Sequence, residues 1–196
     1  RQRQMCIRDS YIADEFKQFI SAARTCAESA QANGNYFEWN YYVFFAIAFY
    51  TGMRKGEIHG LRWSDIDGKY ISVKRSISQK VKGDDRITPP KNKSSIRTLQ
   101  IPKPLIEILN EHKERCKIFD GFSEENYICG ANKPLRDSTI QKRNIKFAQL
   151  AGIKTIRIHD FRHSHASLLA NEGINIQEVA RRLGHSDVEM TWNTYS

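Results

Sequence analysis

The segment His159-Asp160-Phe161-Arg162-His163-Ser164-His165 concentrates three of the chain's six histidines around one arginine. On a helix, Phe161, His165, Leu168 and Leu169 form one stripe, which makes His165 a packed core histidine. His159 and Arg162 stand at i and i+3 and share a different face. An imidazole beside a fixed cation is poor metal chemistry, because the guanidinium repels the ion. The same pair suits a phosphate: arginine offers a planar fork of donors to its oxygens, and histidine can move a proton near neutral pH. A second arginine, Arg54, lies in Thr51-Gly52-Met53-Arg54-Lys55-Gly56-Glu57, at a junction between helices where side chains converge. An ion pair with Glu57 is compatible with that role. His185 follows a helix end in Leu183-Gly184-His185, and Tyr195, one residue from the end of the sequence, is by default a surface aromatic.

The elements that must position these residues can be read from periodicity and punctuation. Phe16, Phe19, Ile20 and Ala23 have helical spacing from Tyr11 onward, and Asn33-Gly34-Asn35 breaks the pattern. A second helix, about 38–50, carries the apolar and aromatic run Tyr41–Tyr50 and closes at Gly52. A short helical turn covers Lys55–Leu61. Ile71 and Val73, then Leu99 and Ile101, alternate with polar residues as strands do. Lys80–Ser95 reads as a loop with a positively charged tip, so the middle of the chain predicts a small antiparallel sheet of two or three strands. Pro104 suits the first turn of a helix bearing Leu105, Ile108, Leu109 and His112. Further helices are predicted from Asp137, as cap, to before Gly152, from near His159 to about Asn171, and from Asn175 to Gly184. Asn175 with Glu178 and Ser186 with Glu189 have capping-box spacing, the latter opening a last helix towards Tyr195. The fold class is therefore mostly α with a small antiparallel β-sheet, α+β.

Composition narrows the function. At 196 residues there is room for one ordinary domain. Lysine and arginine number 31 against 22 acidic residues, a net charge of +9, which points to a polyanionic partner, nucleic acid first and anionic membrane second. The longest apolar run, ten residues, is too short to span a bilayer. No signal-peptide pattern follows Arg1, Arg3 and Arg8. Cys6, Cys26, Cys116 and Cys129 are widely spaced and form no CxxC, as expected of reduced cytosolic thiols rather than disulfides or a zinc site. Residues 1–10 are aperiodic and Arg-rich, a linker remnant or foreign junction.

Four blocks, TGMRKGEIHGLRWSDID, PPKNKSSIRTLQIP, HDFRHSHASLLANEG and LGH followed by Tyr195, occur in the order and spacing of one family. Through them the chain resembles the catalytic domain of the tyrosine recombinases, the phage-integrase family, over residues 11–196. The wording is similar to integrases of phages and conjugative transposons of Gram-positive bacteria. The resemblance implies that Tyr195 is the nucleophile, leaving a 3′-phosphotyrosine and a free 5′-hydroxyl. It implies that Arg54 and Arg162 clamp the non-bridging oxygens, that His159 is the general base, and that His185 donates a hydrogen bond to the phosphate. Lys91 matches the general acid for the leaving 5′-oxygen, with Lys93 two residues away as the other choice. The implied partner is double-stranded DNA at attachment sites, bound by a homo-tetramer of the full-length protein. No metal and no cofactor are implied, since a phosphotyrosine conserves the bond energy until the next strand attacks. Family members usually carry an N-terminal DNA-binding region and continue past the tyrosine, so the chain is expected to be a fragment cut at both ends, monomeric on its own.

The same residues bear on three other functions. HDFRH is close to the HExxH of zinc proteases, but aspartate stands at the base position and Arg162 would set a cation between the ligands. A catalytically inert DNA-binding module explains the charge without explaining six site residues in family order. A type IB topoisomerase shares the chemistry, and the integrase-like wording weighs against it.

Overall fold

The computed structural model describes residues 10–81, 84–88 and 96–185. Helix α1, Ala13–Ala32, buries Phe16, Phe19, Ala23 and Ala27, the stripe its spacing predicts, with Ile20 at the margin. A 3-10 turn at Tyr36–Glu38 leads into α2, Trp39–Thr51. Nearly every α2 residue is buried, which is why it lacks a polar face: it is the axis of the core and not a surface helix. Phe16 stacks on Phe49 with ring centroids 3.6 Å apart. Phe19 meets Tyr11, Phe45, Phe147 and Phe161 at 5.1–5.8 Å. This aromatic cluster joins α1 and α2 to the later helices.

Helix α2 stops at Gly52, whose φ of 64° is left-handed and whose amide returns to the Ala48 carbonyl. Helix α3, Lys55–Gly60, follows at once, and a 3-10 turn at Trp63–Asp65 precedes the strands. Strands β1 (Ile66–Asp67), β2 (Tyr70–Val73) and β5 (Arg97–Gln100) form one antiparallel sheet in the order β1-β2-β5. Ile71 and Leu99 face each other across it and are buried.

Two strands depart from expectation. β3, Ser76–Val81, and β4, Asp84–Thr88, form a separate antiparallel hairpin, so part of the Lys80–Ser95 loop is strand. Its sequence hides this. Arg86 and Ile87 of β4 are both exposed and Ile77 is the one buried side chain described in β3, so little imposes the alternation that marks β2 and β5. The hairpin is anchored by Gln79, which accepts from the Asp137 amide at 3.0 Å and donates to the Leu135 carbonyl at 3.0 Å.

Helix α4, Lys103–Lys117, has Pro104 in its first turn and buries Leu105, Leu109 and His112. Helix α5, Asp137–Ala151, ends at Gly152. Asp137 is its first helical residue and not its cap. The side chain instead accepts from His59 Nε2 at 2.8 Å and pairs with Lys55, holding α5 against α3. Helix α6, Asp160–Asn171, and α7, Ile176–Leu183, close the described chain around Ala166, Leu169, Val179 and Leu183. Asn175 caps α7 through the Gln177 amide at 2.8 Å, whereas Glu178 turns to Arg181 and Arg182 rather than completing a box. Cys26, Cys116 and Cys129 are free thiols. No described helix is long and apolar enough to cross a membrane.

Candidate active site

The C-terminal end of α2 is where the separated motifs meet. Arg162, on α6, is 4% exposed, so a guanidinium lies inside the protein. It is satisfied by backbone: Nη1 donates to the Gly52 carbonyl at 2.8 Å and Nη2 to the Leu183 carbonyl at 2.6 Å. Each carbonyl sits at a left-handed helix stop, and each stop is closely followed by a candidate site residue. Arg54 comes two residues after Gly52, and His185 two after Leu183. One arginine therefore gathers three chain segments far apart in sequence.

Gly52 is required by that approach. A Cβ there would lie 2.6 Å from Cδ2 of His165 and 2.9 Å from Cδ2 of Leu183, and the φ is unfavourable for other residues. His165 is the packed histidine that its stripe predicts, and burial pushes its pKa down to about 4.

Arg54 caps α3. Its amide donates to Glu57 Oε2 at 2.8 Å and its Nη1 to Glu57 Oε1 at 3.2 Å, so the anticipated ion pair forms. The Arg54 side chain nevertheless stays 41% exposed, which leaves its donors within reach of a ligand. Glu57 is buried and also takes a two-pronged pair from Arg97, at 3.0 and 3.1 Å. Burial alone pushes the Glu57 carboxyl up. The Arg97 guanidinium, then Arg54, outweighs it and holds the group below its ordinary value.

His185 is half-buried beside these cations. Loss of solvent, followed by Arg162, Arg54, Arg97 and His163, drives its pKa down to about 4. At neutral pH it is uncharged and can donate one ring N–H. His159 is exposed at the start of α6, with its ring edge-on to His163 at 5.1 Å. Partial desolvation first, then His163 and Arg162, lowers its pKa, keeping a lone pair available to accept a proton.

Arg54, Arg162 and His185 thus form one electrostatic group, with His159 coupled to it through Arg162 and His163. Lys91, Lys93 and Tyr195 lie outside the described residues. Among the described residues, no three histidine, cysteine or acidic side chains gather to hold a metal ion. Arg97 is a partner in this group that the sequence does not reveal. Glu57 carried a local signal, three residues from Arg54 at the start of a helix. Arg97 carried none, because the carboxylate it meets is forty residues away.

A sequence model of the phage integrase family matches residues 12–196. The chain belongs to the phage integrase family. It is 36% identical over 161 residues to the ICEBs1 integrase of Bacillus subtilis, covering 78% of this chain and 44% of that protein. It is 33% identical over 174 residues to a XerC-like tyrosine recombinase of Caldanaerobacter subterraneus, again covering 78% of this chain and 44% of the relative. This integrase-family chain therefore spans less than half the length of these curated relatives. Its fold matches that of the Tn1549 transposon integrase, solved with circular intermediate DNA, at a TM-score of 0.73 and 23% identity over 95% of this chain and 62% of that one. The XerA recombinase gives 0.70 and 23% over 95% of this chain and 58% of its own. The α+β architecture of this integrase-family chain is that of a tyrosine-recombinase catalytic domain.

Proposed function

We propose that this integrase-family chain is the catalytic domain, residues 11–196, of a site-specific recombinase that integrates and excises a mobile element. The observation that carries the reading is the buried Arg162, whose carbonyl partners draw the Arg54 cation and the neutral donor His185 into one group. A phosphodiester resists an anionic nucleophile until its own charge is neutralised. Preorganised donors at that position are the largest kind of contribution in phosphoryl transfer.

In this mechanism Arg54 and Arg162 bind the non-bridging oxygens and His185 donates to one of them. A tyrosine hydroxyl titrates near ~10, so it needs help at neutral pH. His159 takes the phenol proton as Tyr195 Oη attacks phosphorus. The new Oη–P bond forms while the P–O5′ bond breaks, and Lys91 protonates the departing 5′-oxygen. Attack of a 5′-hydroxyl from another strand reverses each step. The phosphotyrosine keeps the energy of the broken bond, so neither ATP nor metal enters. The partner is double-stranded DNA in the cytoplasm of a bacterium, bound by a tetramer of the whole protein, and the net charge of +9 suits that polyanion.

A nicked duplex carrying the attachment sequence, taken from DNA flanking the coding region, tests this. The chain should form an SDS-resistant protein–DNA adduct that Tyr195→Phe abolishes while still binding DNA. An adduct surviving Tyr195→Phe sinks the assignment of the nucleophile. No adduct from wild type, where the longer parent protein makes one, sinks catalysis by this chain. Lys91→Ala should slow adduct formation and Lys93→Ala should not; the reverse result moves the general acid to Lys93. Adduct formation should be unchanged by EDTA.

A further inference from the structure

Arg97 opens β5, where it pairs in register with Val73 of β2. Its side chain is 7% exposed, too enclosed to reach DNA. Nη1 and Nη2 grip the two oxygens of Glu57 at 3.0 and 3.1 Å, and Nε donates to the Arg182 carbonyl at 2.8 Å. The first contact reaches α3 and the second the end of α7. Gly184 lies against the same guanidinium, so closely that a Cβ there would come within 3.0 Å of Nη1.

Both ends of this bridge lead directly to candidate site residues. The carboxylate held by Arg97 also takes the Arg54 amide and Arg54 Nη1, fixing where that side chain starts and which way it turns. The Arg182 carbonyl lies three residues before His185, and Gly184 immediately precedes it. We propose that Arg97 is a positioning residue: its one planar guanidinium, anchored on a sheet strand, sets Arg54 and His185 against the same phosphate. The inference rests on the reading of this corner as a DNA-cleaving site.

Arginine is needed for its geometry. Three of its donors lie in one plane and serve a carboxylate and a carbonyl at once, which a lysine ammonium on a flexible stem cannot reproduce. The charge has a second effect, since Arg97 acts on His185 together with Arg162, Arg54 and His163.

Arg97→Lys and Arg97→Met test the assignment, with folding followed by circular dichroism. Single-turnover adduct formation and DNA affinity are measured on the nicked attachment-site duplex, and His185 is titrated by NMR. Arg97→Lys, which keeps the charge opposite Glu57, should bind DNA within about twofold of wild type and form adduct at least about tenfold more slowly. Folded Arg97→Met should move the His185 midpoint from about 4 towards the ordinary histidine value. A purely structural role would lower thermal stability, affinity and cleavage together and leave the His185 midpoint of the folded protein in place.

Wild-type cleavage by Arg97→Lys, or an unmoved His185 midpoint in folded Arg97→Met, overturns the proposal. If Arg97→Met does not fold, the split between rate and affinity in Arg97→Lys decides. If wild type itself makes no adduct, the proposed function fails, and the titration and the Arg54 and His185 amide shifts still judge Arg97. Shifts that stay at wild-type positions in Arg97→Lys count against it.

Discussion

The two ends of α2 differ in whether a cation is taken inside. At the C-terminal end charge is taken inside: Arg162 on two carbonyls, Arg97 on Glu57. At the N-terminal end no described cation is buried: the Glu38 carboxylate is met by Arg143, which stays partly exposed, and Asn40 and His112 are neutral. Asn40 accepts from the Gly130 amide at 2.9 Å, and His112 donates from Nε2 to the Ile128 carbonyl at 2.8 Å. Burial drives the His112 pKa down to about 4, so it stays uncharged. Around this end lies a cavity of about 590 Å³, bordered by Tyr36, Phe37, Trp63 and Phe122. A buried cation costs several kcal/mol unless it is well paired. The fold accepts that cost at the end where an arriving phosphate would add negative charge, and avoids it where only loops need closing.

The largest effect should come from Arg162. Arg162→Lys cannot serve the Gly52 and Leu183 carbonyls and a phosphate together, so adduct formation should fall by about 100- to 1,000-fold. A single-turnover cleavage assay checks this, and a loss below about tenfold would erase the distinction between the two ends. Packing supplies the next contrast. Gly52→Ala should destabilise by about 3 kcal/mol or more in denaturant unfolding, because strain at positive φ adds to the collision with His165 and Leu183. Gly152, at the end of α5, has a similar φ of 68° and nothing within 4 Å of a built Cβ. Gly152→Ala should cost only about 1 kcal/mol, the backbone strain alone.

Acid should reach both ends, for a shared reason. His112, His165 and His185 have folded pKa values pushed down to about 4, below the ordinary 6.5 of the unfolded chain. Between those values the unfolded state binds more protons, so stability is full above pH 6.5 and declines as pH falls towards 4. His112 alone should contribute a loss of about 3 kcal/mol by pH 4. Melting temperatures from pH 7.5 to 4 should show the decline, and His112→Gln should flatten it without changing cleavage at neutral pH. Asn40→Ala should have the smallest effect. Loss of the Gly130 bond should cost about 1–2 kcal/mol of stability, with the cleavage rate of the folded protein within about twofold of wild type. A large cleavage defect there would mean that the two ends are coupled through α2.

Legibility followed the range of the interactions. The α1 stripe, the Gly52 and Gly184 stops, the Pro104 entry and the packed His165 all rest on spacing within a few residues, and each is found as its local pattern predicts. The β3–β4 hairpin is not legible in the sequence because it has little buried face to impose an alternation. The sequence neighbours of Asp137 suggest a cap. Its actual partners, His59 and Lys55, come from a helix about eighty residues earlier.

The sequence by itself determined the helices and their stops, a surplus of nine positive charges, and the family to which the motif order belongs. Those properties depend on local backbone preference, on composition and on residue types in sequence order. Tertiary structure decided which charges share a site. Arg162 meets carbonyls from two distant helix ends, and Arg97 joins α3 to α7 through a carboxylate and a carbonyl. A buried guanidinium must satisfy its donors wherever the packed chain offers acceptors, and only the folded core brings those acceptors within 3 Å.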